Sequence, residues 1–245
     1  MTASPTLRIL YVGHDPGTGE RLREAFESRM QQKRFRRRHP DLALRFVMES
    51  NQKQAQVGLR RSPPHGILVQ ISPRYPRVRF CRYVRNRAPK SPLVAVSDTA
   101  QPPQACEFDA VLPRSLPRRE VARVMDRFVQ VLSETQVRVG PFCLDTLSRE
   151  VLGPHGRAEL PPKQCALLRM LMEQAGHVVQ RAKLMATIWE TDFLEDTRTL
   201  DVHVRWLREK IEPEPSNPVY IRTVRGEGYI FMPTPPSGWE EREPG

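Results

Sequence analysis

Short apolar runs alternate with helical stretches through the first 130 residues, and that rhythm restricts the amino-terminal half to a layered α/β architecture. Residues 7–12 (LRILYV) read as a strand, followed by a turn-rich stretch over 13–19 and an amphipathic helix over 20–33. Residues 42–48, 66–71, 92–96 and 109–112 read as four further strands, with helices over 51–61, 77–87 and 117–132. Five strands separated by helices specify a parallel sheet covered on both faces. The polar residues 133–136 (SETQ) then predict a short linker.

Beyond it the rhythm changes to short strands, helices and a closing hairpin. Residues 137–144 and 150–153 read as strands around turns, and 161–174, 181–189 and 197–211 as helices. Strands over 220–224 and 229–232 flank the glycine-rich turn Arg225-Gly226-Glu227-Gly228. In the third helix Leu200, Val204, Leu207 and Ile211 form one apolar stripe facing a core. Its other faces carry Arg198, His203, Arg205, Trp206, Arg208 and Lys210. Such a helix fits a major groove about 12 Å wide, although by itself the pattern also describes a solvated basic face. The hairpin favours the groove, because it sets Arg222 and Arg225 at a tip shaped to reach phosphates or a narrow neighbouring groove. The proline-rich, acidic residues 233–245 predict a disordered tail.

Charge alone would not lead to DNA. The chain holds 39 Lys and Arg against 28 Asp and Glu, a formal +11. Residues 1–130 hold 25 basic and 11 acidic residues (+14), whereas residues 131–245 hold 14 and 17 (−3). The placement of charges carries the inference, not their sum. Only 6 of the basic residues are lysine and there are 24 prolines, a bias that a G+C-rich genome produces unaided. Cys81, Cys106, Cys143 and Cys165 lack a CxxC pair or metal spacing and read as reduced, packed thiols. No run approaches the roughly 18 apolar residues of a membrane span, and the first six residues lack a signal-peptide core. A cytoplasmic chain without membrane contact is expected. No nucleophile–base pair, metal cluster or phosphate loop is visible, so neither catalysis nor a cofactor or metal is expected.

Four segments resemble the effector domain of OmpR/PhoB-type response regulators, a winged helix-turn-helix family. They are LPPKQCALLRML (160–171), VVQRAKLMATIW (178–189), RTLDVHVRWLREKI (198–211) and IRTVRGEGYIF (221–231). The resemblance runs nearly without gaps from residue 137 to residue 231. It implies an α+β unit with a four-stranded antiparallel sheet, three helices and a hairpin wing. The third helix would enter the major groove of double-stranded DNA and the wing the adjacent minor groove. By position it implies DNA contacts from Arg198, His203, Arg205, Trp206 and Arg208, and from Thr223, Arg225 and Tyr229 on the wing. An alternative for Arg208 is a helix-end pair with Glu212. Trp189 matches a tryptophan that touches the DNA backbone, with a core role equally open. Trp206 departs from the polar or basic residue common in relatives; it either presses on thymine methyls or packs against a dimer partner. Gln164 and Cys165 replace an acidic–aromatic pair in the first helix, a change expected to matter only structurally. Glu190, Asp192, Glu195 and Asp196 lie in the loop through which relatives contact RNA polymerase, a solvated loop being the alternative.

The amino-terminal half resembles a receiver domain of flavodoxin-like fold, in degenerate form. A phosphorylatable receiver needs a carboxylate nucleophile, an acidic pair for Mg²⁺, a hydroxyl and a lysine. The alignment puts Gln70 at the phosphoacceptor and Gly13 and His14 at the acidic pair, leaving only Asp15. Ser97 fits the hydroxyl and Arg114 stands where lysine is expected. The short segment between Ser97 and Asp109 predicts a reduced or missing fourth receiver helix. The basic run 21–38, with KRFRRRH at 33–39, has no counterpart in a typical receiver. It reads as a nucleic-acid patch containing an aromatic, or as a solvated arginine-rich helix.

The expected domains are therefore a degenerate receiver-like unit (1–132), a linker (133–136), a winged helix (137–232) and a tail (233–245). The functional expectation is an atypical response regulator of two-component, phosphorelay ancestry, controlling transcription without phosphorylation. Relatives bind direct repeats as dimers through a receiver face that is altered here, leaving the dimer mode open. The rival expectation is a protein- or ligand-sensing adaptor whose amino-terminal half binds a partner and uses DNA as an anchor.

Overall fold

The computed structural model describes residues 4–97, 106–189 and 198–234, and two compact units meet in sequence between Thr135 and Gln136. In the first unit β1 (Thr6–Val12), β2 (Ala43–Glu49), β3 (Gly66–Gln70), β4 (Leu93–Val96) and β5 (Ala110–Leu112) form a parallel sheet of order β2-β1-β3-β4-β5. This is the doubly wound, flavodoxin-like order, whose switch point between β1 and β3 leaves a crevice at their carboxyl ends.

Alternation along the strands sorts the core into two layers. Leu7, Ile9 and Tyr11 of β1 and Leu68 of β3 pack with Leu22 and Phe26 of α1 (Pro16–Gln31) and Met125 and Phe128 of α5 (Arg118–Thr135). Their neighbours Leu10, Val12, Ile67 and Val69 face the other way. They meet Leu59 of α3 (Gln52–Arg61) and Phe80 and Val84 of α4 (Val78–Arg87). Phe26 and Phe128 stack with centroids 6.0 Å apart. Gly66 makes that packing possible, since a Cβ there would lie 2.4 Å from the Phe128 ring.

Three local expectations are corrected. The first helix begins at Pro16, four residues before the expected start, because Asp15 caps it by accepting from the Gly17 N–H and Pro16 needs no donor there. The basic run is broken at Gln32 and forms a second helix, α2 (Lys33–Arg38). Phe35 is buried beneath the Arg29 guanidinium, 5.2 Å from its ring centroid, so the aromatic of this patch is a core anchor and offers no face to a base. Lys33, Arg34, Arg36, Arg37 and Arg38 are exposed. Finally, residues 133–135 of the expected linker are the last turn of α5, and Gln136 already opens the next strand. Leu132 and Thr135 are buried, and the Thr135 hydroxyl donates to the Val131 carbonyl at 2.9 Å, so the polar residues continue the helix.

The second unit opens with an antiparallel meander, β6 (Gln136–Val139), β7 (Phe142–Asp145), β8 (Glu150–Gly153) and β9 (Gly156–Glu159). The strand expected over 137–144 is split into β6 and β7 by Gly140, whose φ of +56° suits a residue without a Cβ. Then come α6 (Pro162–Glu173), β10 (Val178–Gln180), α7 (Arg181–Trp189), α8 (Arg198–Ile211), β11 (Ile221–Val224) and β12 (Gly228–Phe231). The last two strands and β10 form a sheet of order β10-β12-β11. The expected stripe of Leu200, Val204, Leu207 and Ile211 is fully buried against Leu167, Leu168 and Leu171 of α6. The unit is a winged helix. Residues 98–105, which hold most of the segment expected to lack a helix, lie outside the described residues, as do the acidic loop 190–197 and the tail from 235. Among the described residues no helix is long and apolar enough to cross a membrane.

Phe128 joins α5 to both α1 and the sheet. Replacing it by alanine is expected to cost the first unit about 3–5 kcal/mol. Hydrogen exchange of the β1 and β3 amides, followed alongside denaturant unfolding, reads that loss separately from the second unit.

Candidate nucleic-acid interface and the pocket at the sheet crevice

Because its apolar stripe is buried, α8 turns Arg198, Val202, Arg205 and Trp206 to solvent. The Arg205 guanidinium reaches Glu209 at 3.2 Å on that open surface, where such a pair contributes little. His203 is half-buried and stands edge-on between two indoles, 5.1 Å from Trp189 and 5.2 Å from Trp206. The Lys163 ammonium lies 5.4 Å from the Trp189 ring and donates to the Ile188 carbonyl at 3.0 Å. Burial, with the Lys163 charge nearby, holds the His203 pKa below the usual imidazole value. Its Nδ1 is buried and has no hydrogen-bond partner in the structure. Trp189 lies at the edge of the core and at one end of this ladder.

The hairpin is fixed to α8 by two residues one turn apart. Glu212 is buried, and its carboxylate accepts from the N–H groups of Val219 (2.8 Å), Tyr220 (3.0 Å) and Ile221 (2.6 Å). Arg208 donates through Nε and Nη2 to the Ile221 carbonyl at 3.0 and 2.8 Å, and through Nη2 to the Thr223 hydroxyl at 2.9 Å. The alternative pair of Arg208 with Glu212 is not formed, and the two residues make separate grips on the start of β11. In this structure Arg208 is also occupied inside the unit instead of facing out, and burial lowers its pKa.

Two wing assignments change as well. Tyr229 is only 3% exposed. Its hydroxyl donates to Asp201 and accepts from Arg181 at 3.2 Å, while Arg181 and Asp201 pair at 2.5 Å. Burial first, and then the Asp201 charge, raise its pKa. Tyr229 is thus a strut joining α7, α8 and the wing, unsuited to the groove contact expected of it. Arg222 is not at the tip; it lies within β11 opposite Ile230 and donates to the Val219 carbonyl at 3.2 Å. The tip itself holds exposed Arg225 beside Gly226, whose φ is +77°. Thr223 is exposed on the same strand. Of the expected contact residues, Arg198, Arg205, Trp206, Thr223 and Arg225 present themselves outward, with His203 and Trp189 behind them. The supporting residue Asp201 escaped the sequence, and Glu212 was legible there only as an alternative partner of Arg208, because acidic residues on a basic helix give no signal of the distant groups they hold.

The other candidate site lies in the crevice of the parallel sheet. Gln70, at the end of β3, accepts at its Oε1 from the Tyr11 hydroxyl (3.0 Å) and the N–H groups of His14 (3.0 Å) and Asp15 (3.1 Å). A Cβ on Gly13 would lie 2.0 Å from the Tyr11 hydroxyl oxygen and 2.7 Å from Gln70 Oε1, so a side chain there would break this bond. The Asp15 carboxylate accepts from the Thr18 hydroxyl (2.5 Å), the Gly17 N–H (3.0 Å) and Arg114 (2.8 Å). Thr18 chiefly, then the backbone donors and Arg114, outweigh partial burial and hold its pKa below the usual carboxylate value. His14, Gln70, Ser72, Ser97 and Arg114 line a cavity of about 150 Å³. All six residues aligned with the phosphoacceptor site therefore meet around this crevice. Tyr11, Thr18 and Arg77, which donates to the Gln70 carbonyl at 3.1 Å, complete it. Among the described residues no group of three His, Cys, Asp or Glu side chains could hold a metal ion.

Residues 155–231 match the family model described as "Transcriptional regulatory protein, C terminal". The sensory transduction protein RegX3 of Mycobacterium leprae is 44% identical over 99 residues, covering 40% of this chain and 50% of that protein. The alkaline phosphatase synthesis transcriptional regulatory protein PhoP of Bacillus subtilis is 35% identical over 123 residues, covering 50% and 51%. The chain spans about half the length of these curated relatives. Among solved structures, the Thermotoga maritima OmpR/PhoB homologue DrrB is 20% identical with a TM-score of 0.38, covering 93% of this chain and 99% of that one. The DNA-binding domain of Klebsiella pneumoniae RstA, solved with its RstA box, is 26% identical with a TM-score of 0.38, covering 40% and 98%.

The Asp15 arrangement has a measurable sign. A depressed carboxylate pKa contributes stability above its unfolded value of about 3.9, lost as pH falls through the lower folded value. Carboxyl NMR titration of Thr18→Ala is expected to move Asp15 upward, and Arg114→Ala to move it upward by less. At the other site, Glu212→Gln sets an amide against backbone donors and is expected to destabilise the second unit by roughly 1–3 kcal/mol, measured by thermal unfolding.

Proposed function

We propose that this chain is a sequence-specific, duplex-DNA-binding transcription regulator of the OmpR/PhoB response-regulator type, and that it works without aspartyl phosphorylation. The observation that carries the reading is the outward set of Arg198, Arg205, Trp206 and Arg225, in a winged helix whose wing is clamped to the exposed helix. The family match over residues 155–231 supports it. Arginine–phosphate contacts supply most of the affinity, and side chains of α8 on base edges supply the sequence preference. The grips of Glu212 and Arg208 fix the wing relative to α8, so that helix and Arg225 engage neighbouring grooves as one rigid body. Arg208 and Tyr229 are positioning residues in this account, Thr223 a wing contact, and Trp189 with His203 the support beneath Trp206.

The first unit supplies no phosphoryl chemistry. Gln70 is a neutral amide and a poor nucleophile. The carboxylate of Asp15 is engaged by Arg114 and Thr18, and Gly13 and His14 offer no side-chain carboxylate for Mg²⁺. Activity is then set by protein level, by a partner, or by a small ligand in the crevice. The regulator acts in the cytoplasm as a homodimer on DNA, with RNA polymerase as a partner through the acidic loop 190–197.

Selection of duplexes from a random pool by the full chain, followed by binding titrations, tests the reading. A specific duplex is expected to emerge, with log affinity falling against log salt at a slope of about 0.9 per phosphate contact. Arg225→Ala should weaken binding while leaving stability within about 0.5 kcal/mol. Arg208→Ala should lower affinity and melting temperature together, because it releases the wing. Acetyl phosphate with Mg²⁺ is expected to leave the intact mass and the DNA affinity unchanged. A stoichiometric phosphoryl adduct with raised affinity, at Asp15 or at Asp98 outside the described residues, would sink the phosphorylation-free mechanism.

A further inference from the structure

We infer that Trp206 is a specificity-determining residue that presses its indole on the C5-methyl group of a thymine in the major groove; this rests on the DNA-binding reading above. Two of the large apolar side chains exposed in the second unit are Trp206, 45% exposed, and Val202, 42% exposed, one turn apart on the outward face of α8. Solvation does not favour an indole there, and the buried stripe does not need it.

The ring is also held in place. It stands at 71° to His203, which stands at 70° to Trp189, itself pinned by Lys163. His203 is half-buried and its Nδ1 makes no hydrogen bond in the structure, so the contact that holds the indole is the edge-on meeting of the two rings. A fixed aromatic surface loses little rotamer freedom when it meets a ligand.

The chemistry of the groove selects the target. Every base edge there presents hydrogen-bond donors or acceptors, and the one apolar group is the thymine C5-methyl, beside the O4 acceptor. An indole supplies an apolar face and a single N–H donor, which matches that pair of groups. Guanine, cytosine and adenine edges leave the face opposed to polar atoms. The neighbouring cations Arg198 and Arg205 suit flanking phosphates.

The test uses the full chain. Duplexes are selected from a random pool, and the enriched sequence is resynthesised with deoxyuridine replacing thymidine one position at a time, which deletes only the methyl group. For the unmodified protein, one thymine per half-site is expected to lose about fourfold in affinity, the worth of one buried methyl. For Trp206→Ala and for Trp206→Arg, the thymidine and deoxyuridine duplexes should bind equally well at that position. The inference is overturned by a deoxyuridine effect of the same size in the variants, or by none in the unmodified protein. Loss of self-association in the variants without any methyl dependence likewise overturns it and marks the patch as an interface between copies. If no sequence is enriched, the DNA-binding reading itself fails, and that failure appears at the selection step before any deoxyuridine is introduced.

Discussion

The geometry of the second unit depends on one buried carboxylate. Glu212 gathers three successive backbone N–H groups at the start of β11, which would otherwise be costly to bury. One turn earlier Arg208 takes the Ile221 carbonyl and the Thr223 hydroxyl. Two side chains at the carboxyl end of one helix, a donor and an acceptor, thus hold both polarities of one strand. A two-stranded hairpin is marginal by itself; attached this way, and paired through β12 to β10, it becomes a fixed projection from α8. The DNA-binding function proposed above needs that fixed angle, since in it the helix and the wing engage different grooves.

The first unit shows how a crevice typical of this sheet order can be closed by its own side chains. Gln70 draws in Tyr11 and two backbone donors, and Arg114 lies against the Asp15 carboxylate. Glycine at position 13 makes room for the Tyr11–Gln70 bond, and the Arg114 guanidinium reaches the Asp15 carboxylate at 2.8 Å. The remaining cavity is about 150 Å³.

Much of the fold was legible because burial leaves a periodic trace. The parallel sheet, the α8 stripe and the glycine-rich wing turn all repeat at the spacing that their geometry requires. Short elements without such a trace escaped: β10 has three residues, too few to show a period, and α2 reads as a run of charge interrupted by Phe35. The apparent linker failed for a related reason. Polar composition marks an exposed segment, yet Thr135 satisfies its hydroxyl within the helix and stays buried.

The candidate interface divides along the same line. Sequence by itself determined which helix carries the exposed cations, where the hairpin turns, and that an amide, Gln70, ends the third strand, because these follow from residue type and local period. Only the tertiary structure decided which of the candidate side chains face outward. Arg205 and Arg208 lie three positions apart on one helix, yet one lies in the open and the other is held against β11. Tyr229 likewise turns inward to Asp201, 28 positions away. Such partners come from distant parts of the chain, and the competition between solvent and a buried acceptor is resolved only when those parts are packed together.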